Sequence, residues 1–291
     1  MTPIVAKREL APGIYEFHLY APLIARKRRP GQFVVLRLHE KGERFPLTIV
    51  DSDPNQGTLR LIVQVAGKST RQMAEMEVGE GILDVVGPLG TPTPIERVGS
   101  VACVGGGIGV ACVYPIAVAC KEAGNRLISI IGARTASLLL MEEELASLSD
   151  ELYLSTDDGS RGEKGFVSDV LRRLLEEGKP IHRVYAVGPA RMMQAVSEVT
   201  RPYGIKTIVS LNPIMVDATG MCGGCRVTVE GQTVFACVDG PDFDGHKVDF
   251  EELIQRQAMY REWEEEALRR HLQEQGCAQE RLERTREVRH A

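Results

Sequence analysis

Residues 100–120 constrain the fold of this chain more than any other stretch. They read "SVACVGGGIGVACVYPIAVAC", a run without a charged side chain that contains four of its glycines within residues 105–109. A run of this length could span a bilayer. Against a span, the glycines and Pro115 interrupt the run, and Lys121 and Glu122 follow it at once. A buried strand, a glycine turn and the start of a helix explain the same residues in an α/β domain, so we expect no membrane span.

The segments that follow repeat this alternation of strand and helix. Strand-like stretches such as "RLISIIGA" and "RVYAVGP" alternate with helical ones such as "FVSDVLRRLLEEG". Alternation at this spacing indicates βαβ units on a parallel sheet. Upstream, short stretches rich in β-branched and aromatic residues are separated by Pro, Gly, Asp and Asn, which predicts a small antiparallel barrel. A short helix is predicted at "STRQMAEM", capped by Ser69 or Thr70.

These changes of pattern divide the chain into four predicted parts. They are an N-terminal antiparallel β-barrel at 1–97, an α/β nucleotide-binding domain with a parallel sheet at 98–212, a small cysteine module at 213–250 and a charged helical tail at 251–291. The tail fits one extended helix that carries Trp263, the only tryptophan. A solvated helix and a partner-docking helix are both open for this tail.

Charge and cysteine usage exclude several classes of function. The net charge of -5 gives no electrostatic footprint for nucleic acid, which would be a clustered excess of Lys and Arg. The N-terminus lacks the apolar core of a secretion signal. Seven cysteines, an odd number, do not form a disulfide framework and fit a reducing compartment, so we expect a cytoplasmic protein.

The glycine turn "VGGGIGV" lies between a predicted strand and a predicted helix. Missing side chains there let backbone N–H groups approach a phosphate at the helix N-terminus. Val110 stands where the standard dinucleotide fingerprint has a third glycine or alanine, so the pattern also fits a turn that only permits tight helix packing. The next strand ends in "IIGART", with Arg134 where an NAD site would carry an acidic residue. An arginine there favours a 2′-phosphate, with Arg161 as a second cation, and either side chain could instead face solvent.

Two stretches of the barrel could bind an anion. "RFPLT" supplies the Arg44 guanidinium, which suits phosphate, together with Pro46 and the Thr48 hydroxyl. "GKST" places a glycine turn and two hydroxyls at a helix start, which is a second anion site by helix-terminus physics. An Arg44 paired with a surface carboxylate is the simpler alternative for the first stretch.

The cysteine module carries the most specific pattern. Cys222, Cys225 and Cys237 supply three thiols, and the glycines around them let the chain curl toward sulfur. Structural zinc needs four ligands, and His246 could complete that set. Placing Asp217 first instead gives D-x4-C-x2-C, the plant-type ferredoxin spacing with its first thiolate replaced by a carboxylate. The spacing favours an iron–sulfur cluster over zinc, and the following "GPDFDGH" is interpreted as an acidic turn over it.

The order of these motifs, from "RFPLT" and "GKST" through "VGGGIG", "GART", "TDDGSRG" and "VGPARMM" to "MCGGC", resembles the ferredoxin–NADP reductase superfamily of flavoproteins. Within it, the chain is similar to the small subunits of NADH-dependent ferredoxin:NADP oxidoreductase, also described as sulfide dehydrogenase. Electron transfer subunits of dihydroorotate dehydrogenase are close kin. The resemblance implies three sets of binding residues. They are, for FAD, Arg44, Pro46, Leu47, Thr48, Gly67, Ser69 and Thr70; for NAD(P)H, Gly106, Gly107, Ile108, Gly109, Arg134, Asp157, Gly188, Pro189 and Met192; and, for a [2Fe–2S] cluster, Asp217, Cys222, Cys225 and Cys237.

The resemblance also implies an activity and its partners. Hydride would pass from NAD(P)H to flavin N5, and electrons would then pass singly through the cluster. The cofactors perform this chemistry, so no side chain is assigned as an acid, base or nucleophile. The expected partner is a larger subunit similar to the small glutamate synthase chain, carrying another FAD and iron–sulfur clusters, with ferredoxin as a further partner. The alternatives are an electron transfer subunit of dihydroorotate dehydrogenase and a non-enzymatic electron carrier that has lost nucleotide binding.

Overall fold

The structure is a computed structural model that describes the backbone of residues 1–290 and the side chains of residues 1–275. The predictions for the end of the charged tail, including the Cys277 side chain and Ala291, lie outside the described residues. Within the described part of the chain, no helix is long and apolar enough to cross a membrane.

The N-terminal part consists of two antiparallel sheets around one apolar core. Phe17, Leu19, Leu36 and Leu61 are fully buried in that core. One sheet has the order β5-β6-β2-β1-β7 and the other β4-β3-β8. The elements are β1 (Thr2–Ala11), β2 (Ile14–Tyr20), α1 (Pro22–Ala25), β3 (Phe33–Arg37), β4 (Arg44–Thr48), β5 (Asp51–Asp53), β6 (Thr58–Gln64), α2 (Lys68–Glu75), β7 (Gly81–Ile82) and β8 (Asp84–Leu89). The predicted antiparallel barrel is confirmed.

The predicted caps of the short helix were wrong. Helix α2 begins at Lys68, so its capping position is Gly67 and both predicted caps lie inside the first turn. Thr70 nevertheless supports the helix start, because its hydroxyl accepts the backbone N–H of Gly67 at 3.0 Å.

The middle part is a parallel sheet with helices on both faces. Its elements are β9 (Ser100–Gly106), α3 (Gly109–Glu122), β10 (Arg126–Ala133), α4 (Glu142–Leu148), β11 (Glu151–Thr156), β12 (Glu163–Lys164), α5 (Val167–Glu176), β13 (Arg183–Val187), α6 (Ala190–Thr200) and β14 (Lys206–Ser210), with 3₁₀ turns at Ala136–Leu138 and Arg201–Tyr203. The sheet order is β12-β11-β10-β9-β13-β14, and a strand of the cysteine module follows β14 at the edge. The chain therefore reverses its direction of winding between β9 and β13, which is where ligands bind in sheets of this type.

The cysteine module contributes to this same sheet. It contains the hairpin β15 (Arg226–Val229) and β16 (Gln232–Phe235), followed by β17 (Asp242–Asp244). Strand β17 pairs with β14 in antiparallel fashion and forms the edge of the sheet. The interpretation of "GPDFDGH" as a loop turn was therefore wrong for residues 242–244.

The C-terminal residues form two helices rather than one. Helix α7 (Phe250–Gln257) begins after Asp249, whose carboxylate accepts the backbone N–H of Glu252 at 2.9 Å. Helix α8 (Arg261–His290) follows after a short turn. The four domain boundaries stay a prediction, and β17 shows that the third predicted part shares a sheet with the second.

Candidate cofactor sites

The glycine turn joins β9 to α3 at the place where the winding of the sheet reverses. Gly107 has a φ of 56°, which a side chain rarely adopts, and its N–H donates to the Gly132 carbonyl at 2.8 Å. Gly109 begins α3 against the end of β13, so a Cβ there would lie 2.6 Å from the Val187 carbonyl carbon. The turn therefore needs glycine at two positions for two different reasons, backbone conformation and close packing.

Met192 brings two predicted glycine motifs together. A Cβ on Gly188 would lie 2.7 Å from the Met192 Sδ atom, and one on Gly106 would collide with the same sulfur. Pro189 caps helix α6, which carries Met192. Because β9 and β13 are neighbouring parallel strands, these residues line one crevice at the carboxyl edge of the sheet. Ile108 caps α3 beside it, so the predicted nicotinamide residues of both motifs are gathered at one site.

The residues predicted to select between NADP and NAD lie at the same edge, farther along the sheet. Arg134 follows β10 and is exposed, and it forms no ion pair with any side chain that the structure describes. Asp157 follows β11 and is exposed; its backbone N–H donates to the Ala133 carbonyl at 3.1 Å. Arg161 differs from Arg134, because its guanidinium pairs with the Glu142 carboxylate at 2.5 Å.

The strand that resembles a flavin-binding segment meets helix α3 at its last residue. Strand β4 pairs with β3, where Pro46 lies opposite Val35, Leu47 opposite Val34 and Thr48 opposite Phe33. At its end, the Thr48 hydroxyl lies against the Cys112 thiol of α3. Burial raises the pKa of the Cys112 thiol, and this hydrogen bond offsets part of the rise. The last residue of the flavin motif and the first turns of the nucleotide helix therefore share one boundary between the two parts of the molecule.

The residues of the barrel that are predicted to bind phosphate lie around the N-terminus of α2. The first N–H groups of a helix have no intrahelical acceptor, so this end attracts an anion. Arg44 is exposed at the start of β4 and forms no ion pair within the described side chains. Ser69 donates to the carboxylate of Glu43 at 3.0 Å. A free guanidinium, a helix N-terminus and hydroxyl groups fit a pyrophosphate. The contact of Glu43 with Ser69 was not predicted, because it joins residues 26 positions apart.

The loop that contains Asp217 and Cys222 is curled by left-handed residues. Ala218, Gly220 and Gly223 have φ values of 58°, 85° and 65°. Asp217 accepts the backbone N–H of Thr219 and that of Cys222, both at 2.9 Å, and the bond from Thr219 lowers the pKa of its carboxyl. A carboxylate oxygen has more than one lone pair, so both hydrogen bonds are compatible with a metal ligand.

Two of the three predicted cysteine ligands meet in the core. Cys225 and Cys237 are buried, and burial together with the neighbouring Cys225 thiol raises the pKa of Cys237 to about 12. Two thiols that hinder each other's ionisation become thiolates readily beside a cation, which fits an iron ligand pair. Cys222 is exposed, and its sulfur accepts the N–H of Gly224 at 3.4 Å. Among the described residues, no three His, Cys, Asp or Glu side chains converge as they would around a single metal ion.

His246, the possible fourth zinc ligand, serves another purpose. Its Nε2 atom lies 2.9 Å from the hydroxyl of Thr200, which itself lies 2.6 Å from the hydroxyl of Thr207. The histidine thus joins the end of α6 to β14. This arrangement removes the histidine from the zinc interpretation of the cysteine module.

The module is attached to the barrel through the segment after β8. Thr91 donates its N–H to the Gly240 carbonyl at 2.6 Å and its hydroxyl to the Val238 carbonyl at 2.9 Å. Thr93 donates to the Asp242 carboxylate at 2.5 Å, and the second oxygen of that carboxylate is buried without a hydrogen-bond partner among residues 1–275. Burial raises the pKa of Asp242 to about 6. Sequence reasoning missed these contacts, because they join residues about 150 positions apart.

Known proteins match the chain at the sites described above. A family model for the iron-sulfur cluster binding domain of dihydroorotate dehydrogenase B matches residues 212–249, and one for the oxidoreductase NAD-binding domain matches residues 103–198. The chain is 50% identical over 276 residues to a Thermotoga maritima protein described as a "Dihydroorotate dehydrogenase B (NAD(+)), electron transfer subunit homolog", covering 95% of this chain and 97% of that protein. The chain belongs to this family of electron transfer subunits. A Geobacillus thermodenitrificans electron transfer subunit of dihydroorotate dehydrogenase B is 34% identical, covering 84% of this chain and 96% of its own.

Solved structures place the same subunit in a wider fold family. A structure of NADH-dependent reduced ferredoxin-NADP oxidoreductase, reported for flavin-based electron bifurcation, contains a chain 49% identical to this one, with a TM-score of 0.89 and coverage of 94% of this chain and 98% of that one. Phthalate dioxygenase reductase, at 18% identity and a TM-score of 0.57, covers 81% of this chain and 93% of that one and shows the shared fold alone.

These matches confirm the class of protein predicted from the sequence. The electron transfer subunit is a flavoprotein of the ferredoxin reductase type, and its cofactors are FAD, a [2Fe–2S] cluster and NAD(P)H. As a subunit, it acts together with a partner chain. The assignment of individual residues to each cofactor stays a prediction.

Proposed function

We propose that this electron transfer subunit is the smaller half of a ferredoxin-linked NAD(P)H oxidoreductase. Its partner is a larger subunit, similar to the small glutamate synthase chain, that carries a second FAD and further iron–sulfur clusters. Bound at this subunit, FAD would supply the chemistry that takes up a hydride from NAD(P)H and passes electrons singly to the cluster. A cytoplasmic location, predicted from the cysteines, belongs to the same proposal.

The identity of the residue at the first ligand place supports the more specific part of the proposal, which goes beyond membership of the family. Asp217 stands at the first ligand place of the D-x4-C-x2-C pattern, where the plant-type ferredoxin spacing has a cysteine, and it lies inside the matched cluster domain. Asp217 is held at the loop by two backbone N–H groups. A carboxylate is a harder donor than a thiolate and alters the potential of a cluster. We therefore expect the reduction potential of this cluster to differ from that of a cluster held by four thiolates.

The proposed roles of the other residues follow from their positions. Arg44 and the N-terminus of α2 hold the FAD pyrophosphate by charge and by N–H groups. Thr48 and Cys112 lie where the barrel meets α3, so they would line the boundary between the flavin site and the nicotinamide site. Met192, seated against Gly106 and Gly188, forms the floor of the nicotinamide site. These residues bind, orient and exclude water, and none is asked to transfer a proton.

The exposed surface near Cys222 supports a partner that covers the cluster loop. Met221, Val216 and Val238 are 87%, 51% and 41% exposed. Apolar side chains exposed together mark interaction sites more often than isolated ones do. An electron leaving the loop at the exposed Cys222 would enter whichever chain covers this surface.

The ligand assignment is tested by replacing Asp217 in the full chain. We expect Asp217→Ala to lose iron, whereas Asp217→Cys retains a [2Fe–2S] centre whose reduction potential is shifted. Asp239→Ala is the matched control, because this carboxylate in the same module also accepts a backbone N–H, from Phe235 at 2.7 Å. Iron content, visible absorbance and the electron paramagnetic resonance spectrum are measured. Full iron and an unchanged spectrum in Asp217→Ala would contradict the assignment.

The activity is tested on the complex purified from the native host. We expect NADPH to bleach the flavin absorbance and the complex to reduce ferredoxin. Dihydroorotate oxidation by the same complex would favour the second candidate, an electron transfer subunit of dihydroorotate dehydrogenase, which the match over residues 212–249 supports. A flavin band that NADPH does not bleach would favour a non-enzymatic electron carrier.

A further inference from the structure

Helix α8 forms one wall of a cavity next to the N-terminus of α2. The cavity has a volume of about 390 Å³, and its lining includes Lys68 of α2 and Trp263, Arg270 and His271 of α8. This volume is at the small end of the range for ligand sites, so it suits one group of nucleoside size. Lys68 belongs to the "GKST" stretch, whereas Trp263, Arg270 and His271 lie outside every motif that carries the family resemblance.

Contacts along the two helices define the direction of α8. Trp263 and Lys68 line the same cavity, while His271 and Gln275 contact Glu75 at the other end of α2, with distances of 3.6 Å from His271 Nε2 and 2.7 Å from Gln275 Nε2. The advance from Trp263 to His271 is about 12 Å and that from Lys68 to Glu75 about 10 Å, because a helix rises about 1.5 Å per residue. The helices therefore run side by side in the same direction, and Trp263 lies at the phosphate-binding end of α2.

Trp263 is held in place yet left uncovered. The indole is stacked on Tyr260, with 5.6 Å between the ring centroids and an angle of 29° between the planes. It nevertheless remains 74% exposed. A rigid aromatic ring with one free side beside a cavity is suited to stacking on a nucleobase.

The polar groups around the cavity leave donors available to a ligand. Glu266 is neutralised by Arg269 and Arg270, at 3.0 and 2.7 Å. The Nε2 atom of His271 is buried; its contact with the Glu75 carboxylate at 3.6 Å is longer than a hydrogen bond, and it has no hydrogen-bond partner among the described side chains. Lys68 forms no ion pair within the same part of the chain. The wall thus offers cationic and donor groups close to the proposed pyrophosphate site, with Glu274 as the remaining carboxylate of the lining.

We propose that Trp263 stacks on the adenine ring of FAD, and that α8 thereby makes the subunit selective for FAD over FMN. The proposal rests on the proposed function, because it takes the N-terminus of α2 as the FAD pyrophosphate site. From that site the adenosine half extends into the cavity, with His271 and Lys68 beside it. NAD(P)H does not compete for this place, since its predicted residues lie at the carboxyl edge of the parallel sheet.

Flavin affinity tests the proposal in the full chain with its cluster in place. FAD and FMN are titrated into flavin-stripped wild type, Trp263→Ala, Trp263→Phe and the control Tyr203→Ala, whose exposed aromatic ring lies in the nucleotide-binding part. We expect Trp263→Ala to weaken FAD binding about tenfold or more and to change FMN binding less than about twofold. Trp263→Phe should retain most of the FAD affinity, and Tyr203→Ala should change neither.

Because Trp263 is the only tryptophan, its fluorescence gives a second readout. ADP carries the adenosine diphosphate half of FAD without the flavin ring, so it quenches the indole only by contact. We expect ADP to quench the wild-type emission and FAD to displace it. The adenine site would be overturned if Trp263→Ala lowered the FAD and FMN affinities equally or lowered neither. It would also be overturned if this variant kept its flavin affinity and lost the partner subunit. Failure of the wild type to bind any flavin would instead overturn the proposed function.

Discussion

The glycine turn and the cysteine loop are both binding sites, but they are constructed in opposite ways. At the turn, Gly106, Gly109 and Gly188 are packed so closely that a side chain would collide with Met192 or the end of β13. The absence of side chains at these glycines determines the shape of the site, and packing within the fold maintains that shape. In the cysteine loop, Asp217 is half-buried, Cys222 is exposed, and both are bonded to backbone groups of their own loop. A site made by packing is complete in the chain, whereas a site made of ligands is completed by the metal.

Among the changes that distinguish the packed glycine turn from the cysteine loop, we expect Gly109→Ala to have the largest effect on stability. Gly109→Ala places a methyl group inside the Val187 carbonyl, so we expect a loss of about 3 kcal/mol in the free energy of unfolding. At Gly107 a Cβ meets nothing within 4 Å, and only the positive φ opposes it. Gly107→Ala should therefore cost about 1 kcal/mol. Urea unfolding followed by circular dichroism compares them, and equal midpoints would mean that packing does not define the turn.

A second effect concerns how the cysteine module is anchored. The pKa of Asp242 is raised from 3.8 to about 6, so the folded state retains this proton at pH values where the unfolded state has lost it. Stability contributed by this group therefore falls as the pH rises from about 4 to about 6, by about 2 kcal/mol. Asp242→Asn should remove this slope and leave the variant relatively more stable at pH 8.

The slope is read from urea midpoints of the two proteins between pH 4 and 8. Asp244→Asn, on the same strand, controls for the loss of one negative charge. If the Asp242→Asn and wild-type profiles run parallel, the buried carboxyl does not titrate as its surroundings predict.

The smallest effect concerns the choice of nucleotide at the rim of the packed site. Arg134 forms no ion pair with a described side chain, whereas Arg161 is held by Glu142. We expect Arg134→Ala to raise the KM for NADPH about tenfold and to leave the KM for NADH nearly unchanged, as the loss of one charge-assisted phosphate contact requires. Arg161→Ala should change either value less than about twofold. If Arg161→Ala raised the KM for NADPH more than Arg134→Ala did, the 2′-phosphate would be bound at the loop after β11 instead.

The same contrast explains what the sequence could predict. Local sequence patterns predict the glycine turn, the strand from Arg44 to Thr48 and the spacing of Cys222 and Cys225, because each of these features depends on neighbours within a few residues. Strand β17, the burial of Asp242 and the contact between Thr48 and Cys112 depend on residues far apart in the chain. The interpretation of residues 242–244 as a turn failed for this reason, since only the edge of β14 makes them a strand. The break between α7 and α8 lies in a charged segment whose pattern favours helix throughout.

Strand β17 has a consequence for the speed of the reaction. It ties the module to β14 by main-chain hydrogen bonds along Ile208 to Ser210, while Thr91 ties it to the barrel. Electron tunnelling slows steeply as donor and acceptor separate, so a domain that swings on a flexible tether must wait for a close approach before each transfer. Here the cysteine module is held in a fixed position relative to the rest of the chain. The slow step is therefore the encounter with the protein that accepts the electron next.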